Sequence, residues 1–420
     1  MTDVAPRPGD QPTIDVPSAT GPHAEVHGPG AASKASRPHK QEQDPASEEI
    51  TEVAPGVIRM QLPIWMPGLG HVNMYGLVDR RGLAVVDPGL PGPKSWKALQ
   101  SRLRAAGFRM RDIHTVVVTH SHPDHFGGAG RIRREAHAEL ITHKAFTTWS
   151  LDRKKSTLSE VEAERLEQEA IDEALDYKGP SLEELPQLAD EERAALDEIT
   201  VETQRKSVPW GGNTPWGGSK HPMPPLSRRL AIRATRLLFT PPDPTRRVAH
   251  GASVELAGRE WLAVHTPGHT LDHLCLYDPE HGVLLSGDHV LPSITPHISG
   301  SGQGDALRSY LATLDLVASL DDVRLGLPAH GHPFDDVPGR VAAIKAHHAE
   351  RMEKLRQASL AIGPSDVVGL SHELFPPRHW GVMAESETFA HLEHLRRAGE
   401  AERWSEDGTF VYRVEPAPKT

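Results

Sequence analysis

The chain has 420 residues and a formal net charge of -11, a length that suits one large core with attachments. It holds a single cysteine, Cys275, and 26 histidines; this excludes a disulfide framework and a cysteine-only zinc site, and points to histidine and carboxylate as metal ligands. No apolar run approaches the roughly 18–20 residues that span a bilayer, and the acidic balance argues against a general attraction to nucleic acid.

Residues 1–48 are rich in proline, glycine, alanine, serine and charge, without apolar periodicity. Such a segment cannot bury enough apolar surface to offset its chain entropy and is expected to be disordered. Asp3 stands where a secretory signal would be basic, and no apolar stretch follows, so the expected location is cytoplasmic. Short apolar runs at 57–62, 72–78 and 83–86 read as strands, the last stopped by Asp87-Pro88-Gly89. Helical spacing at 94–106 ends at Gly107, and the β-branched run 114–119 reads as a buried strand. A helix over 127–137 and a strand over 139–142 continue an α/β alternation.

Residues 151–250 break that alternation. Helices are predicted at 158–177 and 181–203, with 17 acidic against 8 basic residues over 151–207. A Pro-Trp-Gly-Gly segment occurs twice, at Pro209 and Pro215, and 220–247 reverses the charge with 7 basic residues and 1 acidic. Either the acidic and basic helices pair across a solvated face, or the insert forms an arm over the site in which Arg228, Arg229, Arg233 and Arg236 meet an anionic substrate. Strands resume at 253–256, 260–264, 273–277 and 283–286, followed by helices at 305–320 and 339–360. The tail reads as helices 365–374 and 386–398, then strands 403–404 and 409–413 around Glu406-Asp407-Gly408, a winged-helix pattern. Glu385, Glu387, Glu393 and Glu400 make this tail a packing or dimerisation module in preference to a reader of nucleic acid. The expected organisation is a disordered lead 1–48, a core 49–337 with insert 151–250, and a winged-helix-like domain 338–420.

The chemistry is concentrated at His120-Ser121-His122-Pro123-Asp124-His125, at the end of the predicted strand 114–119. Alternate residues of an extended chain point the same way, so His120 and His122 can chelate one ion together, and Asp124 and His125 can face a second where the chain turns. Packing offers no reason to gather so much polarity there, and desolvating it without partners is costly. Three further pieces stand at strand ends: Thr266-Pro267-Gly268-His269, Ser286-Gly287-Asp288 and Pro328-Ala329-His330-Gly331. Together they supply five histidines and two aspartates, enough for two ions.

In their order along the chain these motifs resemble the metallo-β-lactamase-fold hydrolases, over residues 53–150 and 250–336. The resemblance implies an αββα sandwich with metals at one edge. It implies that His120, His122 and His269 hold one ion, that Asp124, His125 and His330 hold a second, and that Asp288 bridges them. The ions would be zinc, with iron or manganese as alternatives, and would hold a hydroxide between them. Asp124 and Asp288 are the expected catalytic carboxylates. Asp87 is expected to orient a ligand histidine, and His273 to face substrate. His289 and His297 follow Asp288 on the chain and are further candidates for the cleft. His332, near His330, is not in the ligand position. A bridging carboxylate resembles the glyoxalase II, lactonase and RNase Z branches, whereas β-lactamases of this fold typically lack it. His347-His348-x-x-Arg351 and the tail are similar to a winged-helix-tailed subgroup.

The expected activity is therefore hydrolysis of an ester or thioester of a small molecule, such as an acyl-CoA, an S-acyl-glutathione or a lactone. The alternatives are an endoribonuclease or phosphodiesterase, suggested by the tail and the basic stretch, and a mononuclear iron persulfide dioxygenase on the same framework. A membrane partner is not expected, and a homodimer is open.

Overall fold

The computed structural model describes residues 39–66, 68–148, 211–223, 225, 226, 229, 240, 242–300 and 304–416. The predicted helices at 158–177 and 181–203 lie outside the described residues, as do Arg228, Arg233 and Arg236 and residues 1–38 of the lead. No helix among the described residues is long and apolar enough to cross a membrane.

Two sheets carry the core. The first runs in chain order through β1 (Ile50–Ala54), β2 (Val57–Pro63), β3 (His71–Asp79), β4 (Gly82–Val86), β5 (Ile113–Val117), β6 (Glu139–His143) and β7 (Arg246–Val248). It is antiparallel up to β4 and parallel from there on. The second holds β8 (Ser253–Leu256), β9 (Arg259–His265), β10 (Leu274–Asp278), β11 (Val283–Gly287) and β12 (Leu325–Pro328), antiparallel except for the β11–β12 pair. Parallel neighbours need a crossover. Helix α1 (Pro93–Ala105) supplies it between β4 and β5. The short α2 (Pro123–Phe126) with α3 (Ala129–Ala136) does so between β5 and β6, and α4 (Ala306–Ala318) between β11 and β12. Strands β1 and β7 are absent from the sequence reading. Their residues are largely part-exposed or charged, as in the Arg-Arg-Val of β7, and an edge strand of that kind is defined by its neighbour and not by its own apolar pattern.

Alternation along the strands builds the layers. In β4, Leu83 and Val85 face outward to Trp96, Leu99 and Leu103 of α1, while Ala84 and Val86 face the other sheet. In β10, Leu274 and Leu276 face inward, whereas Cys275 and Tyr277 meet Leu307, Tyr310 and Leu314 of α4. The result is four layers, helix–sheet–sheet–helix, with Tyr75, Leu77, Trp261 and Leu285 at the interface of the sheets. Burial pushes the Cys275 thiol up to about 12, so it is an inert core group.

Within residues 39–48, expected in the disordered lead, one side chain is buried and the others are part-exposed or exposed. Glu42, on a short 3-10 turn, is fully buried. Its carboxylate accepts from the backbone N–H groups of Ser293 (2.8 Å) and Ile294 (3.1 Å) and from the Ser293 hydroxyl. Composition concealed this because the segment is held by polar contacts and not by apolar area.

The C-terminal region comprises α5 (Val337–Ile362), β13 (Ser365–Asp366), α6 (Val367–Leu374), α7 (Val382–Arg397), β14 (Ala401–Glu406) and β15 (Thr409–Val414). Asp336 caps α5 by accepting from Gly339 N–H, and Asp366 caps α6 by accepting from Gly369 N–H. The strands form a separate sheet in the order β13-β15-β14. They pack with Leu355, Leu370, Phe389 and Leu392 around Trp216, which belongs to the second Pro-Trp-Gly-Gly segment. Trp216 donates its indole N–H to Glu385 (3.2 Å), and its carbonyl accepts from Phe410 N–H (2.9 Å). A Cβ on Gly217 would lie 2.1 Å from the Gly408 carbonyl oxygen, so only glycine allows this approach. The described Trp216–Gly217 part of the insert thus packs on the C-terminal region.

Trp261 is fully buried between the sheets. Trp261→Ala is expected to destabilise the protein by about 3–5 kcal/mol, read by chemical denaturation. Glu393 is nearly buried and bonds to Arg396, Arg403 and Tyr412. Burial raises its carboxyl, but Arg403 and Arg396 outweigh this and hold it below the usual range. Its contribution to stability is therefore complete above an unfolded value of about 4.3 and is lost as pH falls through the lower folded value. Glu393→Gln should lower stability at neutral pH and flatten the acid limb of the stability curve, measured by unfolding across pH 2–7.

Candidate metal centre

Every chemistry-bearing motif emerges at the same edge of the sandwich, because each follows the end of a strand directed there: β5, β9, β11 and β12. The two sheets are joined at that edge. The Leu274 N–H donates to the Thr119 carbonyl (2.8 Å). Asn73 of β3 bonds through its amide to the carbonyls of Pro328 (2.8 Å) and Gly331 (2.9 Å), and Tyr75 bonds to Pro328 (2.8 Å). The five residues from His122 to Phe126 form the cap and the single turn of α2, which the sequence analysis does not contain. That turn aims Asp124 and His125 at the same point. Gly127 and Gly128 let it close: a Cβ on the first would lie 2.1 Å from Pro91 N, and one on the second 2.4 Å from Pro88 O.

Two groups of donor atoms result, each within 4.8 Å: His120, His122, His269 and Asp288, and Asp124, His125 and His330. Nδ1 of His122 lies 3.0 Å from Nε2 of both His120 and His269. Asp288 touches both groups. Its Oδ2 lies 3.5 Å from Nε2 of His269 and 3.5 Å from Nε2 of His125, and its Oδ1 lies 3.3 Å from Nε2 of His330. Asp124 Oδ2 stands 3.6 Å and 3.5 Å from Nε2 of His125 and His330.

The far side of most rings is held by the scaffold. Asp87, in a left-handed backbone conformation (φ 55°), accepts from His125 Nδ1 (2.8 Å), from Thr119 N–H (2.9 Å) and from the Thr119 hydroxyl (2.8 Å). The Thr119 oxygen lies 3.0 Å from His120 Nδ1. His330 donates from Nδ1 to the His71 carbonyl (2.6 Å), and His269 from Nδ1 to the His297 carbonyl (2.8 Å). These bonds leave the opposite nitrogens as acceptors facing the centre.

Burial holds His120 and His122 well below the ordinary imidazole value, reinforced by neighbouring imidazoles. For His125, burial is outweighed by the carboxylates of Asp124, Asp288 and Asp87, and the ring is pushed well above that value. Asp124 Oδ1, His125 Nε2, Asp288 Oδ1 and His330 Nε2 are all buried without a hydrogen-bond partner. Buried polar atoms are ordinarily paired. Four orphaned atoms converging among imidazoles and carboxylates fit divalent cations, for which this donor set is suited.

His273, expected to face substrate, is fully buried. Its Nδ1 lies 2.7 Å from the Thr266 hydroxyl, and its Nε2 accepts from the Asp288 N–H (3.0 Å), beneath the carboxylate. His289 is buried against Tyr310, with ring centroids 5.1 Å apart. His332 is half-exposed and donates its backbone N–H to Gln41. Two supporting residues had no role assigned from the sequence: His71, and Thr119 at the head of the histidine motif. Burial lowers His71, which bridges the Asp44 carbonyl (Nδ1, 2.7 Å) and the Gly331 N–H (Nε2, 3.1 Å), tying the N-terminal segment to the His330 turn. The available signal was His71 and Asn73 at buried positions of an otherwise apolar strand.

Asp87 supports His125 directly and His120 through Thr119. Asp87→Asn, whose amide cannot accept from all these donors, is expected to weaken metal binding by about ten- to a hundredfold, measured by chelator competition.

The Metallo-beta-lactamase superfamily profile matches residues 67–330. The fold is similar to a crystal structure of a metallo-beta-lactamase family protein from Thermus thermophilus, at 26% identity and a TM-score of 0.61, covering 87% of this chain and 100% of that one. It is also similar to a beta-lactamase domain protein from Burkholderia ambifaria, at 25% identity and a TM-score of 0.62, covering 88% and 96%. Among curated proteins, the lactamase-like protein nscB of Trichophyton rubrum is 29% identical over 162 residues, 38% of this chain and 48% of that protein. The atrochrysone carboxyl ACP thioesterase nsrC of Aspergillus novofumigatus is 31% identical over 142 residues, 33% and 42%. The chain spans less than half the length of these curated relatives. With the profile covering more than half of the chain, and with the sandwich and its histidine–aspartate edge in place, the protein belongs to the metallo-beta-lactamase superfamily.

Proposed function

We propose that the protein is a dinuclear, zinc-dependent hydrolase of a small-molecule ester or thioester. The observation that carries the reading is Asp288, whose two carboxylate oxygens face both donor groups, within 3.5 Å of His125 and His269 through one and 3.3 Å of His330 through the other. In this reading His120, His122 and His269 would hold one ion and Asp124, His125 and His330 the other, with Asp288 within reach of both. Two divalent ions held there would supply a Lewis acid for a substrate oxygen and a water of near-neutral pKa.

The chain's own groups do the rest. Asp87, Thr119 and the carbonyls of His71 and His297 keep the ring protons on the outer nitrogens, so the inner nitrogens stay available. Asp124 keeps Oδ1 without a partner, available to accept a proton from the attacking water. His273 supports Asp288 from below through the Asp288 N–H. Ser121, between two ligands, is tied down by donating to Asp272 (3.0 Å), whose carboxyl burial pushes up to about 6. The thioester class is supported by the name of the Aspergillus novofumigatus relative. The C-terminal helices and strands are read as a winged-helix-like packing module, since Trp216, Phe389 and Phe410 are committed to its interior.

Zinc-loaded protein is expected to turn over at least one member of a panel of acyl-CoA, S-acyl-glutathione and lactone substrates. His122→Ala should lower the rate by at least about a hundredfold, since metal Lewis acidity contributes several kcal/mol to the barrier. Cleavage of bis(p-nitrophenyl) phosphate alone, or one bound iron with oxygen consumption, would overturn the assignment.

A further inference from the structure

The outer-nitrogen contacts of His120, His125 and His330 end within the sandwich: on Thr119, Asp87 and the His71 carbonyl. His269 differs. Its Nδ1 donates to the carbonyl of His297, on the loop between β11 and α4. That loop is pressed against α7 of the C-terminal region. The Gly300 N–H donates to the Ser386 carbonyl (3.2 Å), and the Ser299 and Ser386 hydroxyls are 3.1 Å apart. A Cβ on Gly300 would lie 2.6 Å from Phe389 Cδ1 and 2.9 Å from Ala390 N, so the loop and the helix are in direct contact.

The His297 side chain completes the link. Its Nδ1 lies 3.6 Å from Glu387 Oε2, on the next residue of α7 after Ser386. Glu387 is gripped from its other side by Arg351 of α5, with Nη1 3.0 Å from Oε1. Arg351 is itself fixed: its Nε donates to His347 Nε2 (2.7 Å) and its guanidinium lies over the Phe375 ring at 4.5 Å. Burial raises the Glu387 carboxyl, but His297 and Arg351 more than offset this and bring it down to about 2, so Glu387 is a permanent anion at neutral pH. Glu387 is thus contacted from both sides, by the ion pair with Arg351 and by the His297 ring.

We propose that Glu387 is a positioning residue for the metal centre: through the side chain and then the carbonyl of His297, it sets the orientation of His269. The C-terminal region then supports the metal site in addition to packing on its own core. The loss of such an outer contact costs about ten- to a hundredfold in metal affinity, and here the loss should be confined to one ion. The outer contacts of His125 and His330 run to Asp87 and His71 and bypass His297 and Glu387. The proposal rests on the dinuclear reading, and the test separates the two.

The full chain, stripped of metal, is titrated with Zn²⁺ against a chromophoric chelator, with thermal unfolding followed in parallel. Wild type is expected to bind two zinc ions. Glu387→Gln should weaken one of them by about ten- to a hundredfold and leave the other unchanged, and Glu387→Asp should restore part of the loss. His297→Ala keeps the α5–α7 ion pair but removes the same link, so it should reproduce the selective loss. Combining it with Glu387→Gln should add no further loss. The proposal is overturned if both single variants keep both affinities. It is equally overturned if Glu387→Gln lowers both affinities alike together with the thermal midpoint, which is the behaviour of a purely structural ion pair. Wild type that binds no zinc would sink the dinuclear reading itself.

Discussion

Imidazole nitrogens and carboxylates that converge inside a protein impose one constraint on everything around them. Ring nitrogens of His120, His122 and His269 stand 3.0 Å apart, crowded at one point. Carboxylates buried beside them lack water. The arrangement is tolerable only if a cation satisfies the inner atoms and if every ring is prevented from turning its N–H inward. The scaffold of this protein is organised around the second requirement. Asp87 takes the His125 proton, Thr119 stands behind His120, and two backbone carbonyls take the protons of His269 and His330.

The demands of that centre explain features that packing alone would not. Asp87 occupies a left-handed backbone conformation, uncommon for a residue with a side chain, because the chain must turn at the end of β4 for its carboxylate to reach Thr119 and His125. Gly127 and Gly128 have no space for a Cβ because α2 has to close onto the turn that follows Asp87. Asn73 and Tyr75, polar groups on an inner strand face, bind the carbonyls that flank His330. The interface of the two sheets supplies rigid apolar support, and the polar atoms are gathered where the strands run out.

The legibility of the site follows from chelation. His120, His122, Asp124 and His125 lie within six residues, and a local cluster can be recognised without knowing how distant segments meet. His269, Asp288 and His330 could be read only as separate motifs at strand ends, assigned to one centre by resemblance. The supporting groups were less legible. Asp87 has a turn motif of its own, but His71 and Glu42 carry no pattern; each matters because of what lies opposite it in space. His273 shows the converse. Its place four residues after His269 suggested a substrate contact, yet β10 begins immediately after it and carries the ring beneath Asp288. The helices expected in the insert lie outside the described residues.

By itself the sequence determined the strand and helix alternation, the layers that follow from apolar residues at every second strand position, and the local clustering of the candidate ligands. These depend on local periodicity and on residues close together in the chain. Only the tertiary structure decided which atoms of those ligands face inward, which strand ends meet, and that the C-terminal helix α7 touches the loop behind His269. Those depend on contacts between residues far apart in sequence, where one buried carboxylate such as Asp87, Glu42 or Glu387 finds its donors only after the chain has folded.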